Sequence, residues 1–202
     1  MPTSSSIGNI DTFNLIEVIG NHITDNVADI RTDRSNSRWV FPTLPKDRTN
    51  YPEAVIELKN VNYNEDSAGR FFKSEELDSG NYREYYYRYA AADVIITVLS
   101  EKESQFTATR NGTEMFLTNQ PLNLFICNSI SDAIKWKKDD LLDYFVDVKE
   151  TRKTPVFEDD PQTWASEIRI EIEFYDIWVK DYSKVGELVD EYSLTLTATM
   201  EE

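Results

Sequence analysis

The chain has 202 residues, of which 21 are Lys or Arg and 37 are Asp or Glu, so its formal charge is −16 at pH 7. Nucleic-acid binders gain affinity from clustered basic side chains that displace counterions from phosphates, so this charge argues against a free-standing nucleic-acid binder. Apolar residues make up 40% of the chain and aromatic residues 12%, which argues for a folded core and against intrinsic disorder. We expect a single domain over residues 1–202, with a projecting arm over residues 60–90.

The first residues and the single cysteine bear on the compartment. Residues 1–9 are polar and rich in serine, without the basic and apolar regions of a signal peptide. No apolar run approaches the roughly 18 residues that a membrane-spanning helix needs. Cys127 lies in an apolar run and is expected to be buried rather than reactive. We therefore expect a protein made in a cytoplasm, with no membrane partner.

Two amphipathic helices are predicted. In the first, which Asp11 is placed to cap, apolar residues recur every three or four positions from Phe13 to Val27, and the helix is expected to end near residue 30. The tripeptide Asn119-Gln120-Pro121 is a helix-start signal with proline in the first turn, and it predicts a second helix over 120–136. A short further turn is expected at Asp139.

Alternation of apolar and polar residues predicts strands at 54–58, 82–100, 144–149, 168–174 and 192–200. The mainly polar segment 60–80 is expected to be an exposed loop or hairpin tip, and the tyrosine-rich start of 82–100 is expected to pair with residues 54–63 as an arm. Apolar residues change from even to odd numbers near Tyr175, which predicts a β-bulge. The expected fold is α+β, a mostly antiparallel sheet with two helices packed on one face and a projecting β-hairpin arm.

No motif is specific enough to indicate an enzyme, a cofactor or a metal. The only histidine, His22, lies on the first helix near its polar side and has no second histidine to share a zinc ion with. The six glycines form neither a dinucleotide-binding motif nor a P-loop. The acidic residues Asp139, Asp143 and Asp147 are spaced like calcium ligands on one helix face, but they are more simply read as a solvated surface.

A run of tyrosines in the long predicted strand is the most informative feature: Tyr82, Tyr85, Tyr86, Tyr87 and Tyr89. Such a strand is typical of a protein interface, and it also fits plain sheet packing or stacking on bases or sugars. We expect subunit or partner contacts at Trp39, Phe41, Phe72, Tyr82, Tyr85 and Tyr87.

In its pattern of elements, the sequence resembles the tail terminator proteins, also called tail completion or neck proteins, of tailed bacteriophages and archaeal tailed viruses. The resemblance covers most of the chain: the first helix at 11–30, Trp39-Val40-Phe41-Pro42, the strand core Ala54-Val55-Ile56-Glu57-Leu58, the long strand at 93–100, the second helix at 121–136 and the late strand at 167–174. The chain is long for this class, with its additions at 60–90, at 149–164 and in the final strand.

The resemblance implies a structural protein of the virion tail or neck, assembled in the host cytoplasm, with no enzymatic activity. Such proteins form a ring, typically of six subunits, that caps the tail tube, ends its polymerisation and joins it to the head connector. The implied partners are further copies of the chain, the tail tube protein and the connector or neck proteins. DNA would pass through the channel without specific binding, because an acidic lumen repels phosphates.

Two alternatives stay open. One is a monomeric binding module for a glycan or a host surface, which would use the tyrosine-rich strand. The other is a hydrolase built on paired carboxylates such as Glu171 and Glu173, although this pair is indistinguishable from ordinary polar alternation in a strand.

Overall fold

The structure is a computed structural model that describes residues 12–31, 34, 38–42, 51–63, 70–77, 81–110 and 112–182. The predicted tail at 1–9 and the predicted strand at 192–200 lie outside the described residues. In chain order, the elements are α1 (Thr12–Asn26), β1 (Val40–Phe41), β2 (Glu53–Tyr63), β3 (Arg70–Glu76), β4 (Tyr82–Glu101), β5 (Gln105–Arg110), β6 (Thr113–Thr118), α2 (Asn119–Trp136), α3 (Asp139–Leu142), β7 (Asp147–Lys153), β8 (Phe157–Asp160) and β9 (Thr163–Tyr182). None of these helices has the length and apolar character needed to cross a membrane.

The main sheet is built around two long strands, β4 and β9. They pair antiparallel over the whole of their 20 residues, from Tyr82 opposite Tyr182 to Glu101 opposite Thr163. The strand order is β1-β2-β4-β9-β7, with β3 on the outer half of β4 and β8 on the start of β9. Among the described strands, only β1 runs parallel to its neighbour. The predicted α+β class with a mostly antiparallel sheet is confirmed.

The core lies between this sheet and the two longer helices. Even-numbered residues of β4 and β9 point to the helix side, because pairing of even with even residues keeps them on one face. Side chains of α1 and α2 pack on that face, so the two helices share one side of the sheet as predicted. The fully buried side chains here include Leu15, Ile19, Ile23, Ile56, Ile96, Leu122, Ile130, Ile134, Ile168 and Phe174.

Hydrogen bonds of a buried asparagine connect α2 to the sheet. The Asn123 side chain is fully buried, and its Nδ2 donates to the carbonyl oxygens of Val98 and Trp164, each at 3.0 Å. The Ser166 hydroxyl donates to Asn123 Oδ1 at 2.6 Å, and the Ser100 hydroxyl lies 3.1 Å from Nδ2. Because these contacts join β4, β9 and α2, they fix where the helix sits along the sheet.

Several element boundaries differ from the expectations. Helix α1 ends at Asn26 rather than near residue 30, and β7 begins at Asp147 rather than at 144. The hairpin β5–β6 forms a separate two-stranded sheet, and β8 pairs with the start of β9; neither was expected. These short strands carry mixed polar and apolar residues without a long alternating run, so periodicity does not predict them.

The segment 60–80 is not simply a loop. Strand β2 continues to Tyr63, and residues 70–76 form β3, which pairs with residues Tyr82–Tyr87 of β4. The tyrosine-rich half of β4 therefore pairs with β3 and β9, whereas β2 pairs only with the later part of β4, from Ala90 to Leu99. The predicted two-stranded hairpin is a three-stranded unit.

The predicted bulge near Tyr175 is wrong. The pairing of β9 with β4 runs through this position without a register shift. The apolar residues change from even to odd numbers because they lie on a different face of the sheet beyond Phe174. Phe174 faces the helices, whereas Tyr175, Ile177 and Val179 lie on the opposite face of the same unbroken strand. A parity change therefore marks the end of the helix layer rather than an extra residue.

Candidate subunit-contact surface

The arm is defined here as β3, residues 82–89 of β4 and residues 175–182 of β9. The buried core ends at Ala90 on β4 and at Phe174 on β9, which pair with each other. At about 3.3 Å per residue, the eight residues of β4 beyond this point extend about 25 Å. The arm is thus a three-stranded sheet that continues beyond the part covered by the helices.

One face of the arm, the tyrosine face, carries odd-numbered residues of β4 and β9. Cross-strand pairing sets Tyr85 opposite Val179, Tyr87 opposite Ile177 and Tyr89 opposite Tyr175. All six side chains are partly exposed. Two aromatic contacts connect them: the ring of Tyr175 meets Tyr87 with centroids 5.5 Å apart and Tyr89 with centroids 5.8 Å apart, both edge to face. Offset and edge-on contacts of this kind are the favourable arrangements of aromatic rings.

Charged side chains border the tyrosine face near the arm tip. Lys73 lies 4.4 Å from the centre of the Tyr85 ring, and the Tyr85 hydroxyl donates to Glu75 at 2.8 Å. Arg83 donates two hydrogen bonds to Asp181, at 2.7 and 2.9 Å. The arginine and the hydrogen bonds it donates lower the pKa of Asp181 below its ordinary value. This pair joins β4 to β9 close to the end of the described chain.

At the inner end, the Tyr89 hydroxyl donates a hydrogen bond to Glu173. Burial, followed by the bond to this carboxylate and its charge, raises the pKa of Tyr89 to about 12. Tyr89 is therefore a neutral donor at all physiological pH values. This bond marks the boundary between the tyrosine face and the acidic part of the same sheet face.

The opposite face of the arm carries an ion pair and contacts between cations and aromatic rings. Arg88 contacts Asp176 at 2.7 Å and stacks over the ring of Tyr63 at 3.4 Å. Tyr86 meets Phe71 edge to face at 6.0 Å and lies beneath Lys180 at 5.2 Å. On this face, therefore, aromatic rings and charged side chains contact each other directly.

The structure brings together only part of the predicted contact set. Tyr85 and Tyr87 lie side by side on the tyrosine face, and Tyr82 lies at the tip of β4, partly exposed and opposite Tyr182. Phe72 falls at the irregularity in the β3–β4 pairing, and its side chain lies outside the described part of the chain.

The other two predicted contact residues lie far from the arm. Trp39 is 3% exposed and belongs to the core, so its assignment as a surface contact is corrected: its bulk is used in packing against the sheet. Phe41 is partly exposed on β1, which pairs with β2 beside Val55 and hence near Thr97 of β4. Thr97 is ten residues from Tyr87 along β4, about 33 Å, so Phe41 and the tyrosine face are separate surfaces.

The β9 half of the tyrosine face was missed. Their sequence signal is that Tyr175, Ile177 and Val179 are odd-numbered, whereas the preceding apolar residues of the strand are even-numbered. In the sequence alone, this change predicts a bulge. Tyr89 belongs to the tyrosine run but was not among the predicted contacts, although it contacts Tyr175.

A second surface, the α2 groove, lies between the β5–β6 hairpin, α2 and the segment before β8. Its volume is about 530 Å³, and its lining is mostly apolar. Apolar side chains predominate in its lining, and Leu124 among them is 44% exposed. Such a grouping on the surface is typical of contact sites. The residues lining the groove are Met115, Leu117, Gln120, Pro121, Leu124, Phe125, Asn128, Pro155 and Val156.

His22 packs as a structural residue. It is 5% exposed, although the sequence pattern places it near the polar side of the helix, with Nε2 3.4 Å from the Ala133 carbonyl oxygen and Nδ1 3.3 Å from Asn26 Nδ2. These contacts satisfy both ring nitrogens between α1 and the end of α2. Within the described ranges, no three His, Cys, Asp or Glu side chains are grouped so that they could hold a metal ion. Cys127 is fully buried, as predicted.

Neither a protein-family model nor a curated protein sequence is significantly similar to this chain.

Proposed function

We propose that the protein is a structural subunit of a viral tail or neck that assembles into a ring, of about six copies, on the end of a tail tube. The single observation that carries this proposal is the tyrosine face, a partly exposed aromatic and aliphatic surface on an arm that extends beyond the core. Tyr, Ile and Val surfaces of this kind lose water readily when a partner covers them.

The placement of the two contact surfaces suits a ring. A ring of identical subunits needs two different surfaces on each subunit, because the contact is made head to tail. The tyrosine face lies on the arm, and the α2 groove lies beside the helix layer next to the β5–β6 hairpin. In the proposed assembly, the arm of one subunit reaches its neighbour, and the α2 groove contributes to contacts with the tube or the connector.

The charge of the sheet suits a DNA channel. On the face that continues from the tyrosine face, Asp93 of β4 lies opposite Glu171 of β9, and Glu173 follows two residues later. Like charges placed directly opposite each other cost stability, and Lys149 of β7, which lies opposite Glu171 on its other side, offsets part of that cost. In the proposed ring this acidic face lines the channel and repels DNA phosphates, so that the genome passes without binding.

The experiment is to measure the mass and shape of the full chain by light scattering on a sizing column, with negative-stain images of the peak, at low and moderate salt. We expect rings of about six subunits. The variant Tyr85→Ala/Tyr87→Ala should remain folded and lose the rings, whereas Tyr86→Ala, on the opposite face of the same strand, should keep them.

Rings that persist in the double variant would overturn the role of the tyrosine face. A full chain that stays monomeric at every concentration and salt would overturn self-assembly in solution. That result would favour the alternative of a monomeric binding module, which predicts saturable binding of a soluble glycan by the same tyrosines.

A further inference from the structure

The outer edge of β9, which faces away from β4, is paired with other segments only as far as Glu173 in the described part of the chain. Up to this residue its main chain is paired: the carbonyl oxygen of Glu167 accepts from Thr154 N at 2.9 Å, and that of Glu173 accepts from Val146 N at 2.7 Å. Beyond Glu173, the only strand of the described residues that pairs with β9 is β4, on the other side. The arm therefore ends in an edge with no partner among the described strands.

The groups presented by that edge follow from the alternation of a strand. Both Glu167 and Glu173 direct their main-chain groups away from β4, and the β4–β9 pairing has no shift between them and Tyr182. The main-chain N–H and C=O groups of odd-numbered residues therefore continue to point away from β4 as far as Tyr182. The N–H and C=O groups of Tyr175, Ile177, Val179 and Asp181 form a row ready to accept another strand.

The sequence that follows supplies a strand of matching length. Residues 192–200 alternate strictly: Tyr192, Leu194, Leu196, Ala198 and Met200 are apolar, and serine or threonine fills the positions between them. The open edge, 174–182, and this segment, 192–200, each have nine residues. About ten residues separate Tyr182 from this segment, and closing a loop of that length costs little conformational entropy.

We propose that the C-terminal segment of the same chain adds to the outer edge of β9 as an antiparallel strand and completes the arm as a four-stranded sheet. The tyrosine face sets the parity of the register. Apolar side chains reach that face when even-numbered residues of the segment pair with odd-numbered residues of β9, whereas a slip of one residue would place threonines there instead. Among the registers with this parity, the proposed one pairs Leu196 with Val179 and Ala198 with Ile177.

This strand has two consequences. It satisfies the row of outward main-chain groups, which would otherwise invite edge-to-edge pairing between copies. It also widens the tyrosine face with Leu196, Ala198 and Met200, so that the C-terminal residues become part of the surface offered to a partner. The pairing itself does not depend on ring assembly and is testable in the monomer.

Cysteine pairs test the register and the source of the strand. In a Cys127→Ala background, Lys180→Cys/Thr195→Cys places two thiols at a directly opposed pair whose side chains approach closely in this register. Lys180→Cys/Leu194→Cys is the matched control, one residue out of register. We expect mild oxidation to give an intrachain disulfide at least about tenfold faster in the first variant. Equal rates in the two variants, or disulfide-linked dimers, would overturn the proposal.

Hydrogen exchange of the intact chain gives an independent test. Amides of Ile177 and Val179 should exchange at least about tenfold more slowly in the full chain than in a variant that ends at Tyr182. Amides of residues 168–172, which β7 covers, should exchange equally in both and show that the shorter variant is folded. Equal exchange at Ile177 and Val179 in the two proteins would contradict the added strand. If the shorter variant fails to fold, the cysteine pairs still decide.

Discussion

Tyr87 of β4 and Tyr175 of β9 meet edge to face, with ring centroids 5.5 Å apart and ring planes at 87°. Tyr175 lies directly opposite Tyr89, so its contact with Tyr87 is diagonal. The pair connects two strands in a part of the sheet that the helices do not cover. A sheet without a helix layer depends on such cross-strand contacts for its order.

We predict that this contact has a measurable coupling energy. The variants Tyr87→Ala, Tyr175→Ala and the double variant should show a coupling of about 0.5–1.5 kcal/mol in the free energy of unfolding, measured with urea. A cycle between Tyr86 and Tyr175, whose side chains lie on opposite faces, should give no coupling. Equal values for the two cycles would mean that Tyr87 and Tyr175 do not support each other.

The buried Asn123 gives the second prediction. Asn123→Ala removes the donor to the Val98 and Trp164 carbonyls and the acceptor for the Ser166 hydroxyl, and it leaves those groups buried. We expect a loss of about 2–4 kcal/mol in the free energy of unfolding, since each unsatisfied buried group costs about 1–3 kcal/mol and the site partly relaxes. The measurement is urea unfolding followed by circular dichroism.

Asn128→Ala is the matched control on the same helix. Its Oδ1 accepts from Lys153 at 2.7 Å in an exposed position, and its loss should cost under about 0.5 kcal/mol. An Asn123→Ala variant as stable as the control would show that the buried network contributes nothing to the position of α2.

The sequence pattern predicted the body of the fold better than the arm. Helix α2 and the central strands carry apolar residues at regular spacing because one side of each faces the core. In the arm, periodicity has a different cause. Tyr85 and Tyr87 are odd-numbered like Ile177 and Val179, and only the strand pairing shows that all four share a face.

Trp39 is a residue of the body of the fold whose burial the sequence pattern does not predict. An aromatic residue before a proline is equally typical of a surface contact and of core packing, and sequence alone does not reveal which one applies. In the structure, the Trp39 carbonyl accepts from Ala54 N at 2.9 Å, which holds this segment beside β2, and the indole is buried in the core. The short strand β3 had no signal because only two of its residues, Phe71 and Phe72, are apolar.

The third prediction concerns the thiol. Cys127 is fully buried on α2, and this burial raises the pKa of its thiol. Because the thiolate is the reactive form, a disulfide reagent such as Ellman's reagent should react on the order of a hundredfold more slowly with the native chain than with the chain in urea. The chain has a single cysteine, so the absorbance change reports this site alone. Rapid reaction in native buffer would show that α2 separates readily from the sheet.

The fourth prediction links pH to the attachment of α2 to β7. Glu150 of β7 accepts a hydrogen bond from the Ser131 hydroxyl at 2.5 Å and contacts Lys135 Nζ at 2.9 Å. Desolvation works to raise the pKa of Glu150, but the bonds from Ser131 and Lys135, with the positive charges nearby, outweigh it and hold that pKa below its ordinary value of 4.5. A carboxyl whose pKa is lowered by folding stabilises the fold above its unfolded pKa and loses that contribution as the pH falls through the folded pKa.

Glu150→Gln should therefore cost about 1 kcal/mol in the free energy of unfolding at pH 7, because the amide can still accept from Ser131 but loses the charge attraction to Lys135. The difference from the natural chain should shrink as the pH falls below 4.5 and vanish once Glu150 is protonated in the folded state. Glu158→Gln is the control, since Glu158 pairs with Lys102 at 2.6 Å but its side chain is 56% exposed, so its removal should cost little at any pH. The measurement is urea unfolding of the three proteins between pH 7 and pH 3. A Glu150→Gln deficit that stays constant across this range would mean that the carboxylate charge does not stabilise the contact between α2 and β7.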